Sequence, residues 1–356
     1  MERDERAGTR PGGPLSGLKV VDFSELAPGP FLTRCLRDLG AEVDKVERPG
    51  RDGAFTTHPG TYQVLNDGKR IHALDLKRPA GLEAAETLVA EADVLVEGFR
   101  PGVMTRLGLG FDKLSARHPG LVYVSISGFG QDGSLSRVPG HDLNYLAASG
   151  MLSLMGGLDD PPSLGVGVPI GDLLGSMYAL SATLTALLQR NETGLGRHLD
   201  VSITDCLMHG MNMVLGQLQA DRRASLGECR EAVFTRPAYG VFETSDGEYV
   251  SIAALEEHFW QRLVAALGLE VSDLGLENRL DRLRGTREIN GRIAEAVRGL
   301  AAKDVIGLLE AADVPVMRVT APLELAESTQ ARDRGLFTAT GEDGLGYVRF
   351  PVRFEG

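Results

Sequence analysis

Three cysteines in 356 residues, at positions 35, 206 and 229, form no CxxC pair. That spacing excludes a disulfide framework and a zinc site, and the helix-like apolar context of each makes it a buried thiol. No block of like charge occurs either, since the net charge of -12 is spread along the chain. Nucleic acid is therefore not expected as a partner, although a local cluster of Arg and Lys can still hold an anion. No apolar run reaches the length of a membrane span, and Met1 to Pro14 is charged and rich in Gly and Pro without an apolar centre. Residues 1–16 are expected as a disordered arm without a secretory signal, and the protein as cytoplasmic, with no membrane partner. A phosphate loop of the GxxxxGK[ST] kind is missing, and Gly108-Leu109-Gly110 and Gly128-Phe129-Gly130 do not complete a strand-GxGxxG-helix fingerprint. Neither a nucleoside triphosphate nor a nicotinamide cofactor is expected, and these glycines read as tight turns.

What remains is the composition of a soluble globular protein, 43% hydrophobic and 24% charged, long enough for one large or two ordinary domains. Strand and helix signals alternate through the first half. Residues 18–23, 41–47, 71–76, 93–99 and 121–127 read as strands, while 31–39, 79–91 and a segment from Pro101 read as helices. The stretch 48–61 reads as a loop. Such alternation implies parallel strands joined by right-handed crossovers, so a Rossmann-like α/β domain is expected. Residues 171–190 are apolar on nearly every face and are expected as a buried central helix, followed by a strand at 198–202 and a Met-rich helix at 203–220. A polar stretch at 221–231 reads as a linker. Beyond it, strands at 238–244 and 248–253 meet at Ser245-Asp246-Gly247, ahead of helices at 257–267, 287–300 and 302–312. The expected organisation is a large domain over 17–222, completed by the tail 321–356, and a small α+β domain over 223–320.

Two residues stand out chemically. His141 lies in a loop past the strand 121–127, where an imidazole can exchange protons, and Asp172 opens the long helix, where the dipole favours a charged carboxylate. On spacing alone, an acid/base pair competes with a hydrogen-bonding loop His and a helix-capping Asp. Arg48, Lys69, Arg70, Lys77 and Arg100 recur around strand ends, where an open parallel sheet has its ligand crevice. Cations there suit a diphosphate, and each one singly also reads as a solvated flank.

Ordered blocks along the chain carry a resemblance. Gly17-Leu18-Lys19-Val20-Val21-Asp22, Pro28-Gly29-Pro30-Phe31, Asp38-Leu39-Gly40-Ala41-Glu42-Val43, Ala73-Leu74-Asp75-Leu76-Lys77, Glu97-Gly98-Phe99-Arg100-Pro101-Gly102, Ser127-Gly128-Phe129-Gly130-Gln131-Asp132-Gly133 and Thr193-Gly194-Leu195-Gly196 are similar to the family III CoA-transferases and α-methylacyl-CoA racemases, the CaiB/BaiF family. The likeness runs from about Gly17 to the C-terminus. It implies an interlocked homodimer, with sites between the large domain of one chain and the small domain of the other, and an acyl-CoA thioester as substrate. Coenzyme A then enters as part of the substrate, with no permanently bound cofactor and no metal. In the racemase branch His141 and Asp172 exchange the α-proton, and Glu256 hydrogen-bonds the His. Gly140, Asp142, Asn144 and Tyr145 are counted with the ligand contacts. CoA is expected among Arg48, Lys77, Arg100 and Arg106, along the backbone of Leu74, Asp75, Leu76 and Lys77 and of Gly98, Phe99 and Arg100.

The resemblance points to a racemase that inverts the α-carbon of a 2-methylacyl-CoA-type thioester. The alternative is a transferase in which Asp172 carries the acyl group and then CoA covalently. Val168 stands where racemases carry Asn, four residues before the Asp, and the Gly-rich lid of some transferases is not found.

Overall fold

The computed structural model describes residues 13–50, 58–165, 167–276, 278–340 and 345–354. Six strands, β1 (Lys19–Asp22), β2 (Glu42–Glu47), β3 (Arg70–Ala73), β4 (Val94–Glu97), β5 (Val122–Ser127) and β6 (His198–Ser202), form one sheet. Their order is 3-2-1-4-5-6, and every neighbouring pair is parallel. Side chains alternate across a strand, so each Val-rich run feeds two faces. Val20, Val94, Val96, Val122 and Val124 cluster with Leu32 and Leu36 of the helix Pro28–Asp38 and with Ala179 and Leu180 of the helix Ile170–Thr193. Val21, Leu95 and Tyr123 pack on the other face with Ala85, Val89, Met104 and Leu114. The strand order reverses between β1 and β4, which puts a crevice outside the carboxyl ends of those two strands.

An ion network ties the N-terminal half of this sheet together. Asp22, at the end of β1, is fully buried, and its carboxylate meets Lys45 of β2 at 3.3 Å and Lys69, just before β3, at 3.2 Å. Ser24 and Thr33 also donate to it. Lys69 donates further to Pro30 O, Thr33 Oγ1 and Asn66 Oδ1. Burial opposes the charge on Asp22, but Lys45 and Lys69 outweigh it and hold the carboxyl well below the usual carboxylate range. Burial also pulls the Lys69 ammonium down, to about 8, against the attraction of Asp22.

Two compact units divide the chain: residues 1–155, 162–213 and 334–356 in one, 156–161 and 214–333 in the other. The crossing therefore falls at Met213 and Val214 and not at 222, and residues 321–333 stay with the smaller unit. The tail rejoins the first unit, where the Tyr347 hydroxyl donates to Asp67 Oδ2 at 3.1 Å and the Phe350 N–H to Asp38 Oδ2 at 3.2 Å. In the second unit β7 (Tyr239–Glu243), β8 (Tyr249–Ala253) and β9 (Val316–Arg318) pair antiparallel. Their inner residues Phe242, Val250, Ile252 and Val316 pack with Trp260, Leu263, Ile289 and Ile293.

Several expectations are corrected. Of the arm expected over 1–16, residues 1–12 lie outside the described residues, while Leu15 N–H donates to Leu39 O at 2.9 Å, so the arm's last residues are held. The loop expected over 48–61 runs into a helix, Pro59–Asn66, because Pro59 begins it rather than breaking it; residues 51–57 lie outside the described residues. The linker expected at 221–231 runs into the helix Leu226–Phe234, started by a capping box between Ser225 and Glu228. The helix Ile170–Thr193 buries only one face, made chiefly of Gly171, Gly175, Ser176, Ala179, Leu180 and Thr183, while Leu188 is 69% exposed. By length and composition it is also apolar enough to cross a membrane, although Gly, Ser and Thr interrupt its apolar run. In the fold it lies against β5, β6 and the helix Pro28–Asp38.

Removing one partner from the ion network leaves a buried charge uncompensated. Lys69→Ala is expected to cost about 3–5 kcal/mol at neutral pH in urea unfolding. Because the Asp22 carboxyl is depressed in the folded state, its stabilisation is complete above the ordinary carboxylate range and is lost progressively as pH falls from that range through the depressed folded value. The deficit of Asp22→Asn should therefore narrow in acid, and a pH-independent deficit would contradict this account.

Candidate active site

Helix starts gather at the carboxyl ends of the strands, as parallel crossovers require. The helix Asp142–Ala148 follows β5 after the loop 128–141, and Ile203–Gly210 follows β6 directly. The Ser176 hydroxyl donates to Pro28 O at 2.7 Å, and the Thr204 N–H to Gly128 O at 3.0 Å. The first bond ties the helix Ile170–Thr193 to the start of Pro28–Asp38, and the second ties the start of Ile203–Gly210 to the loop after β5. Gly128 must lack a side chain here, since a Cβ would lie 2.1 Å from Cε1 of Tyr145.

Tyr145 and Asn144 build the loop that presents His141. The Tyr145 hydroxyl donates to Gly140 O at 2.5 Å, and Asn144 Oδ1 accepts the His141 N–H at 3.0 Å. His141 sits at the N-cap in extended backbone and is exposed. Asp142, the next residue, accepts the backbone N–H of Asp172 on its Oδ1 at 3.0 Å. The structure therefore brings Gly140, His141, Asp142, Asn144, Tyr145 and Asp172 to one place.

The Asp172 carboxyl ionises less readily than its helix-start position suggested. Burial, then the charge of Asp142, pushes its carboxyl up to about 7. Desolvation and a like charge outweigh the dipole of the helix, which is worth at most about 2 kcal/mol. The Tyr145 phenol is raised as well, by burial and then by Asp172 and Asp142, with Arg100 acting against them.

The expected cations separate into two groups. Lys69 is committed to Asp22, and Arg70 pairs with Asp44 at 2.7 Å and Glu42 at 2.8 Å at the starts of the strands. Arg48, Lys77, Arg100 and Arg106 follow β2, β3 and β4, are exposed, and form no ion pair among the described residues. Between them the chain is shaped by its own backbone and side chains. Leu74 N–H donates to Glu47 O, Asp75 Oδ1 accepts the Lys77 N–H at 3.1 Å, and Leu74 and Leu76 pack on the core. Gly98 and Phe99 turn the chain after β4, with Phe99 N–H bonded to Glu97 Oε2 at 2.8 Å. Glu256 lies in the second unit, exposed at the start of the helix Glu257–Leu267, where its carbonyl accepts the Trp260 N–H.

Two features were not legible beforehand. Leu26, in the turn after β1, is exposed and adopts φ +62°, a left-handed conformation that is uncommon without glycine. A cavity of about 140 Å³ is lined by Glu97, Arg100, Ser125, Gln131 and His198 with their neighbours. Burial, with Asp200 adding, pushes Glu97 to about 7 against the bonds from Ser125 and Phe99. The Ser125 hydroxyl meets His198 Nε2 at 3.0 Å. A charged residue closing the strand Val94–Glu97 was the one available signal.

A doubly wound sheet with exposed cations past its strands and a carboxyl and an imidazole on adjoining helix starts defines an α/β enzyme scaffold. CoA-transferase family III matches residues 15–356, and the chain belongs to that family. It is 32% identical over 337 residues to the human α-methylacyl-CoA racemase, spanning 93% of this chain and 84% of that protein. To the acetyl-CoA:oxalate CoA-transferase of Acetobacter aceti it is 31% identical over 363 residues, 99% of this chain and 92% of that one. A solved CaiB/BaiF family protein from Brucella suis superposes with a TM-score of 0.84 at 29% identity, covering 96% of this chain and 93% of that one. Relatives of both reaction types thus align along nearly the whole sequence.

Proposed function

We propose that this protein is an acyl-CoA racemase or epimerase, which inverts the α-carbon of a 2-methylacyl-CoA-type thioester by proton exchange between His141 and Asp172. The observation that carries the proposal is the Asp172 carboxyl, held near neutrality and joined through Asp142 to the loop of an exposed imidazole. A thioester α-proton is a weak acid, so one group must take it and another return it from the opposite face while donors stabilise the enolate oxygen. A carboxyl poised near pH 7 serves either role, whereas a carboxylate nucleophile works only when ionised. In this reading Glu256 steadies His141 across an interlocked homodimer, and coenzyme A arrives with the substrate. The second reading, transfer of CoA through a covalent species on Asp172, draws on Val168 in place of Asn and on the transferase relatives.

Incubation with a panel of acyl-CoAs in deuterated water separates the two. The racemase reading expects solvent deuterium at the α-carbon, and a loss of at least about 100-fold in His141→Ala and in Asp172→Ala. A hydroxylamine-trapped adduct on Asp172, together with a fully active His141→Ala enzyme, would establish the transferase instead.

The exposed cations past β2 and β4 are proposed to hold the CoA phosphates. Arg48→Ala and Arg100→Ala should each weaken CoA-ester binding by about 1.5–3 kcal/mol, the scale of a charge-assisted hydrogen bond. Unchanged affinity in calorimetry would return both to the solvated surface. The interlocked dimer is expected to persist at high dilution in analytical ultracentrifugation, and a folded, active monomer would refute it.

A further inference from the structure

The first turn of a helix leaves peptide N–H groups without partners. In Ile170–Thr193 the N-cap is Pro169, whose side chain accepts nothing, and the N–H of Asp172 is taken by Asp142, 30 residues earlier on a different helix. Such an approach requires glycine at the neighbouring position, because a Cβ on Gly171 would lie 2.9 Å from the same Asp142 oxygen. No donor among the described residues meets the Asp172 carboxyl itself. Of the charged and titratable groups near it, Asp142 and Tyr145 of the helix Asp142–Ala148 interact with it, and Arg100, after β4, acts on Tyr145; His141 caps the start of that same helix.

We propose that Asp142 is a positioning residue for Asp172: its carboxylate clamps the Asp172 peptide and sets the charge state in which Asp172 meets the substrate. Two effects follow from one contact. The hydrogen bond fixes the first turn of the long helix against the loop that carries His141, so the two exchanging groups keep one geometry. The negative charge of Asp142, added to burial, disfavours a second negative charge beside it, and Asp172 retains its proton up to about pH 7. The catalytic consequence rests on the proton-exchange reading above, whereas the coupling between the two carboxyls does not.

Asp142→Asn keeps an amide oxygen for the Asp172 N–H and removes the charge. Infrared titration of the protonated carboxyl band, assigned with Asp172→Asn, should show the Asp172 midpoint falling from about 7 toward the ordinary carboxylate value, by about one pH unit or more. Gly171→Ala displaces the Asp142 carboxylate without altering either titrating residue, and is expected to move the midpoint in the same direction. It serves as the second test should Asp142→Asn fold poorly. In α-deuterium exchange, the limb that rises with ionisation of Asp172 should shift to lower pH by the same amount. An unmoved midpoint, or a uniform loss of exchange with an unmoved limb, would overturn the proposal. A shifted midpoint in an enzyme that exchanges no α-proton upholds the coupling and removes the racemase reading, so the two failures are distinguishable.

Discussion

A carboxylate with no access to water, Asp22, anchors the first unit. Burying one charge is costly, and burying three is tolerable only when geometry and hydrogen bonds offset the lost hydration. Asp22 meets that condition through Lys45, Lys69, Ser24 and Thr33, which come from β2, the edge of β3, the turn after β1 and the helix Pro28–Asp38. The network thereby sets the relative positions of three strands and the first helix start. That start in turn accepts Ser176 of the long helix, so the place where Asp172 stands follows from the burial of Asp22.

The same physics acts with opposite sign at the candidate site. Asp22 has two ammonium groups and stays ionised; Asp172 has burial and a like charge, and its carboxyl rises to about 7. Asp22 ends β1 and Asp172 opens the helix Ile170–Thr193, and their neighbours set their charge apart. A carboxylate held ionised and one raised toward neutrality therefore arise from one scaffold without any change of residue type.

Much of the first unit was legible in sequence because its strands are short Val-rich runs bounded by Gly and Pro, and a parallel sheet buried on both faces writes itself that way. His141 and Asp172 were legible as candidates for the same local reason, being polar residues at a loop and a helix start. Their junction was not. It depends on Asp142 reaching a peptide 30 residues away, a tertiary contact that leaves no periodicity. The dipole of its own helix favours a charged Asp172, and burial and Asp142, which local sequence does not reveal, act against it. Lys69 and Arg70 read as strand-flanking cations like Arg48 and Arg100, yet the fold buries the first and pairs the second. Spacing records that a cation flanks a strand but not which end of the strand it guards. In the long helix the packed stripe combines small residues with Leu180 and Leu187, while Leu188 faces outward, a division that apolar counting misses.

Family III holds proteins that move CoA and proteins that invert a carbon, and both use a carboxyl at this helix start in the resemblance set out above. The two chemistries ask for different charge states. A nucleophile with an ordinary carboxylate value is almost wholly ionised at neutral pH, whereas one held near 7 is ionised only about half the time. For proton exchange the balance reverses, because a group that must both take and return a proton does best near the ambient pH. The environment of Asp172, buried and with its peptide bonded to Asp142, suits the second demand. Within a shared scaffold, burial together with one neighbouring charge shifts a carboxyl toward one demand or the other without any change of residue type.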